Sequence, residues 1–243
     1  MAKINHLVVN GCSYMEVYSA GCGHQDLANQ LGMDTSESLA IGGSANTRII
    51  RTTLKHSYQA LEPTLYVLGM TFVSRLEIPI LENQSEFEGR WTNPQNQLFA
   101  KDWQYGWGQT DTDQFVTLKL NSEAYSILDR VEDLMYKILS MISDLHARGH
   151  RVLVYQQADP LYQEYLDNPR LALFKSTPAI IDGYRWRAVP WQLSNGVPPT
   201  NYGANPIYDV PDDIKHPKAG HHQKLNEFLV DYIGKNSILD NKQ

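Results

Sequence analysis

Three polar residues, Ser13, Asp213 and His216, have the chemical types that nucleophilic catalysis requires. Asp213 and His216 are three positions apart in a predicted loop before a helix, so a turn can bring the carboxylate onto the imidazole. A carboxylate there would fix the ring tautomer and leave the other nitrogen to take a proton from a hydroxyl. Ser13 supplies a candidate hydroxyl, because serine becomes a good nucleophile only beside such a base.

The ends of three predicted strands offer a place where these residues could meet. The apolar run "LVVNG" ends at Gly11, the next at Gly42 and Gly43, and the third at Gly69. In a doubly wound parallel sheet, the carboxyl ends of the strands converge on one crevice. Ser13 lies two residues past the first strand, which places it at that crevice.

Alternating apolar and amphipathic segments predict a βαβαβ order, which is typical of a parallel sheet with crossover helices. The predicted strands cover residues 6–11, 38–43, 64–70, 150–157 and 179–182. The predicted helices cover residues 24–32, 44–61, 121–149 and 218–234, with Ser44 as the N-cap of the second. We find no internal repeat and no linker, so residues 1–243 are expected to form a single domain.

Residues 72–121 break this rhythm and are expected to form an insertion of short strands and loops at the carboxyl edge. The insertion is rich in aromatic residues, among them Trp103 and Trp107. They could form a small local core for the insertion, or an aromatic rim that holds a sugar or another flat substrate. Arg75 could bind substrate or could pair with Glu77. Arg75, Trp103 and Trp107 are therefore candidate substrate-binding residues.

Composition restricts the class of partner. The net charge is −6 and there is no Lys/Arg cluster, which argues against nucleic acid. No apolar stretch approaches the ~20 residues of a membrane span, and the N-terminus lacks the pattern of a signal peptide. Cys12 and Cys22 make no disulfide framework, so we expect a reducing, cytoplasmic location. The oligomeric state is left open.

Four sequence blocks together resemble those of the SGNH (GDSL-like) hydrolase superfamily, in the same order along residues 8–229: "VVNGCSYM", "AIGGSAN", "VLGMT" and "DDIKHPKAGHHQKLNEFL". The resemblance implies a three-layer α/β/α sandwich with a mainly parallel, flavodoxin-like sheet. It also implies hydrolysis of esters, with Ser13 as nucleophile, His216 as base and Asp213 as its orienting partner. The backbone amides of Ser13 and Gly43 would stabilise the oxyanion.

Two positions depart from the pattern of that superfamily. Cys12 stands where an aspartate is common, and Thr71 stands where the superfamily uses an asparagine to donate to the oxyanion. A threonine hydroxyl can donate a hydrogen bond, but it is shorter and must orient its single proton. Asn46, in "GGSAN", is a second candidate for this donor because it follows the second predicted strand.

These features predict a serine esterase that removes a small acyl group, such as acetyl, from a carbohydrate or another small molecule. An acyltransferase with the same triad and a non-catalytic binding protein on the same fold are the alternatives. We expect no cofactor. A metal site at His216, His221 and His222 is disfavoured, because adjacent histidines do not easily aim at one ion and no cysteine or carboxylate completes the set.

Overall fold

The computed structural model describes most of the polypeptide outside the predicted insertion. The described residues are 3–42, 44–71, 78–79, 91–92, 127–156, 168–172, 176–181 and 219–240. All structural statements below concern these residues.

A parallel five-stranded sheet forms the centre of the described structure. Its strands are β1 (His6–Gly11), β2 (Thr35–Ser38), β3 (Thr64–Met70), β6 (Arg151–Gln156) and β7 (Ile180–Ile181), in the order β2-β1-β3-β6-β7. This is the flavodoxin-like order, in which the connections change direction between β1 and β3. Ligands of open α/β sheets bind at the carboxyl ends of the strands beside such a switch point.

Helices cover both faces of the sheet and complete three layers. They are α1 (Ser13–Ala20), α2 (Gly23–Gln30), α3 (Asn46–Gln59), α4 (Ile127–Ala147) and α5 (Ala219–Lys235). Alternate residues of each strand point to opposite faces, so the central strands contribute to two cores. One core packs the sheet against α3 and α4, and the other packs it against α1, α2 and α5. The predicted three-layer α/β fold is confirmed.

The prediction for the second strand was wrong. The strand covers Thr35–Ser38, whereas the sequence predicts a strand over residues 38–43, so the two ranges share only Ser38. Leu39 N and Ile41 N still donate to Val9 O and Gly11 O, at 2.8 and 3.4 Å, but residues 39–42 are not a strand. β2 is an edge strand of the sheet and is partly open to water. A polar sequence can therefore form it, and an apolar run does not identify such a strand.

Two helix predictions also need correction. The N-cap of α3 is Ala45, with extended backbone, whereas Ser44 turns its hydroxyl to Ile41 O at 2.6 Å. Helix α1 was not predicted, because its short segment lacks a clear apolar period.

The insertion contributes one described feature. Strands β4 (Ile78–Pro79) and β5 (Trp91–Thr92) form a two-stranded antiparallel ladder.

The two cysteines are both free, with Cys12 buried and Cys22 exposed. Across the described ranges, every helix is too short or too polar to cross a membrane.

Candidate active site

Ser13 is the first residue of α1, and its backbone lies directly beyond the carboxyl end of β1. The turn between them is tight, because Met15 N and Glu16 N both donate to Cys12 O at 3.0 Å. The first backbone N–H groups of a helix have no acceptor in a preceding turn. The amide of Ser13 is therefore at a helix N-terminus, where N–H groups favour a developing negative charge.

Gly11 allows α1 to fold back closely on the strand. A Cβ atom at this position would lie 2.4 Å from Met15 Cγ and 2.9 Å from the carbonyl oxygen of Gly69. The glycine of the "NGCS" turn is thus required by close approach of a side chain and of the neighbouring strand. Any larger residue would require Met15, in the first turn of α1, or the end of β3 to shift.

The predicted oxyanion candidates Asn46 and Thr71 are directly bonded to each other. Thr71 N donates to Asn46 Oδ1 at 2.7 Å, and Asn46 Nδ2 donates to Thr71 O at 3.0 Å. Asn46 begins α3 and Thr71 follows β3, and both side chains are buried. The side-chain amide therefore fixes the point at which β3 ends, beside the N-terminus of α3.

The register of the sheet places Ser13 and Thr71 at neighbouring strand ends. Gly11 of β1 pairs with Gly69 of β3, and each of the two residues follows its glycine by two positions. The structure thus brings the backbone of Ser13, Thr71 and Asn46 to the carboxyl edge, at the switch point of the sheet. We call these three residues, with Gly11, the carboxyl-edge site.

Asn10 is a residue of this region that the sequence analysis missed. It is fully buried, and its Nδ2 donates to Ile49 O, Thr52 Oγ1 and Thr53 Oγ1 at 2.9–3.1 Å, while its Oδ1 accepts from Gly11 N at 2.9 Å. These bonds tie the end of β1 to α3. The signal was an asparagine inside the apolar run "HLVVNG", since a buried polar side chain must find partners.

The N-terminal half of α5 packs against α1 and α2. Tyr18 Oη donates to Asn226 Oδ1 at 2.6 Å, and Asn226 Nδ2 donates to Gly23 O at 3.0 Å. The edge of the His222 ring meets Tyr18, with ring centroids 5.3 Å apart, and burial lowers the pKa of His222. Ala219, the first residue of α5, comes three positions after His216 in the sequence.

A polar groove of about 520 Å³ lies between α2 and α5. The residues that line it are Gly21, Gly23, Asp26, Asn29, Gln30, His222, Gln223 and Asn226. Of the predicted catalytic and oxyanion residues that the structure describes, Ser13, Asn46 and Thr71, none is among them. The groove therefore shares none of its described lining residues with the carboxyl-edge site.

Six predicted site residues lie outside the described residues: Gly43, Arg75, Trp103, Trp107, Asp213 and His216. The predicted base, its orienting acid, one oxyanion amide and the substrate-binding candidates therefore stay predictions.

Comparison with known proteins adds no family to this picture. No family model matches the chain, and no curated protein matches its sequence. The resemblance to the SGNH superfamily therefore depends on the four sequence blocks alone.

Proposed function

We propose that this protein is a serine hydrolase that cleaves a carboxylic ester, removing a small acyl group such as acetyl from a carbohydrate or another small molecule. The observation that supports this most is the position of Ser13. It begins a helix at the carboxyl end of β1, beside the switch point between β1 and β3. Open α/β sheets bind their ligands at this place, and the sequence pattern independently selects the same serine.

In the proposed reaction, the Ser13 hydroxyl attacks the ester carbonyl while His216 takes its proton. Asp213 orients the imidazole and stabilises its cationic form. The tetrahedral intermediate collapses, His216 returns the proton to the departing alcohol, and an acyl-enzyme is left on Ser13. Water, activated by His216, then releases the acid and regenerates the serine.

The oxyanion would be stabilised by the backbone amides of Ser13 and Gly43 together with the hydroxyl of Thr71. We assign donation to the Thr71 hydroxyl and positioning to Asn46, because the side-chain amide of Asn46 both donates to and accepts from the backbone of Thr71. Donors fixed before the reaction stabilise developing charge at no reorganisation cost. A buried donor is also more effective, because the local dielectric constant is low, and Thr71 is fully buried.

A panel of short-chain nitrophenyl esters and acetylated sugars tests this proposal. We expect wild-type protein to release acid from at least one of them, Ser13→Ala to release none, and the matched variant Ser19→Ala, on the same helix, to behave as wild type. Adding an alcohol acceptor distinguishes hydrolysis, which gives free acid, from acyl transfer, which gives a new ester. Equal turnover by wild type and Ser13→Ala would contradict the proposal.

We also propose a reducing compartment such as the cytoplasm. Cys22 is free and exposed, and a solvent-accessible thiol persists more readily where disulfides do not form. The partner is proposed to be a small ester and not nucleic acid, in line with the net charge of −6.

A further inference from the structure

A second group of chemically capable side chains lies toward the opposite edge of the sheet. His6 begins β1, Glu37 lies in β2, and His56 lies in the last turn of α3. Nε2 of His6 and Nε2 of His56 lie 3.0 and 2.6 Å from the same carboxylate oxygen of Glu37. Among the described residues, these three form the one group whose ligand atoms lie within 4.8 Å of one another. We call them the His-Glu-His cluster.

Both imidazole rings are held by their second nitrogen. Nδ1 of His6 is bonded to Thr35 Oγ1 at 2.7 Å, and Nδ1 of His56 to Tyr66 Oη at 2.8 Å. A hydroxyl can either donate or accept, so each bond persists whichever ring nitrogen carries the proton. Histidines that bind metals commonly have such a partner on the other nitrogen, because it orients the ring.

The backbone around the cluster is fixed by regular structure. His6 and Thr35 are register partners in the β1–β2 ladder, and Tyr66 is a fully buried residue of β3. Glu37 projects from β2, and its side chain retains 45% of its exposure. His6 on a strand and His56 on a helix are held in place, and the partly exposed Glu37 completes the group. The three side chains therefore form a preorganised site that is open to water on the side of Glu37.

We propose that the His-Glu-His cluster is a zinc site, with Nε2 of His6, Nε2 of His56 and one carboxylate oxygen of Glu37 as ligands and water in the fourth position. Two imidazoles and a carboxylate suit Zn²⁺ better than Mg²⁺ or Ca²⁺, which take oxygen ligands. Ligands ~2.0 Å from a tetrahedral zinc are ~3.3 Å apart. The carboxylate oxygen, now 3.0 Å from Nε2 of His6 and 2.6 Å from Nε2 of His56, must therefore move away by about 0.3 Å from the first and about 0.7 Å from the second.

Binding would replace the hydrogen bonds between the imidazoles and the carboxylate. Each Nε2 then offers its lone pair to the metal, and its proton moves to Nδ1, which donates to the hydroxyl of Thr35 or Tyr66. The ion would join β1, the edge strand β2 and the end of α3. The site is independent of the proposed hydrolase, since its residues come from other parts of these elements than the carboxyl-edge site.

Calorimetric titration of the metal-free full chain with Zn²⁺, and with Co²⁺ as a visible-absorption probe, tests the proposal. We expect one ion per chain and a tetrahedral Co²⁺ spectrum. His56→Gln and Glu37→Gln should each lower the affinity at least about tenfold, and Tyr66→Phe, which removes only the orienting hydroxyl, by about tenfold. His146→Gln is the matched control, because His146 is a partly buried histidine outside the cluster, and it should bind as wild type does.

Circular dichroism of the metal-free variants checks that each one is folded. Should His56→Gln not fold, Glu37→Gln decides the question, because Glu37 is half-exposed and at the sheet edge. Failure of wild-type protein to bind Zn²⁺, or equal affinity in wild type and Glu37→Gln, would overturn the proposal.

Discussion

Polar residues are used differently at the two ends of the parallel strands, which we call the carboxyl edge and the amino edge of the sheet. At the carboxyl edge, Asn10 and Asn46 are buried, and each bonds to backbone groups where a strand ends; Asn10 also donates to two threonine hydroxyls of α3. At the amino edge, His6, Glu37 and His56 bond side chain to side chain and are partly exposed. The first arrangement fixes backbone groups at the ends of strands and helices, whereas the second places three side chains around one point, where we propose that an ion binds. Activity should therefore depend on the carboxyl edge and not on the amino edge.

The largest expected effect is on turnover at the carboxyl edge. Ser13→Ala should lower kcat/KM by about 10⁴-fold or more, because the other members of a triad act only through the nucleophile. Glu37→Gln, at the amino edge, should leave kcat/KM unchanged when measured with a chelator present. Steady-state kinetics on the preferred ester checks both variants. Comparable losses in the two would mean that the edges are not functionally distinct.

The pairing of Asn46 with Thr71 separates a positioning role from a donating role. Asn46→Ala leaves the N–H and C=O of Thr71 without these partners, which should lower the free energy of unfolding by about 2–4 kcal/mol. Thr71→Val keeps both backbone bonds and removes only the hydroxyl, so turnover should fall about 10²–10³-fold.

Urea unfolding and kcat are measured for both variants. The assignment of roles fails if Thr71→Val retains full turnover while Asn46→Ala, under conditions where it is folded, loses it.

Gly11 tests how tightly the carboxyl-edge site is built. Gly11→Ala places a Cβ 2.4 Å from Met15 Cγ and 2.9 Å from Gly69 O, so we expect about 1–3 kcal/mol of destabilisation. Gly234→Ala is the matched control, because a Cβ there meets nothing within 4 Å and the residue lies in α5. It should stabilise the protein by up to about 1 kcal/mol. Thermal unfolding measures the stability of both variants. An unchanged stability of Gly11→Ala would show that the turn at Gly11 has room for a side chain.

The smallest effect is a pH dependence of stability at the amino edge. His150 precedes β6, is buried, and accepts a hydrogen bond from Thr64 N through Nδ1 at 3.1 Å. Burial is the largest cause that lowers the pKa of His150 below its ordinary value of 6.5, and the positive charge of Arg148 lowers it further. The unfolded chain therefore binds a proton at this residue before the folded chain does, and stability falls as the pH drops below 6.5.

His150→Asn keeps an acceptor for Thr64 N and removes the titration. We expect it to reduce the loss of unfolding free energy between neutral pH and pH 5.5, as measured by urea unfolding at both. The same slope in wild type and variant would show that His150 does not contribute. Burial also lowers the pKa of His24, His146 and His222, so part of the slope should remain.

Much of the fold could be predicted from the sequence because its central elements have strong patterns. Strands such as β3 are buried on both faces and are continuous apolar runs, while α4 has a clear helical period. The edge strand β2 could not be predicted, since "TSES" is polar and its pairing with β1 is a property of the assembled sheet.

The same distinction applies to the sites. Ser13 is a predicted nucleophile because a glycine-ended strand precedes it, and the structure places that strand end at Gly11, while the role of Ser13 stays a prediction. The bonds between Asn46 and Thr71 join residues 25 positions apart, and the His-Glu-His cluster joins residues 19 and 31 positions apart. Local spacing carries no information about such contacts, which arise only when the sheet and α3 are assembled.

The most direct test of the central claim is chemical labelling of Ser13. A fluorophosphonate probe reacts with an activated serine by losing fluoride and forming a phosphonate ester on its oxygen. We predict one adduct per folded chain, mapped to Ser13 by peptide mass spectrometry, and none after prior unfolding or in Ser13→Ala. No adduct on folded wild-type protein, or an adduct on a different serine, would contradict the claim that Ser13 is a catalytic nucleophile.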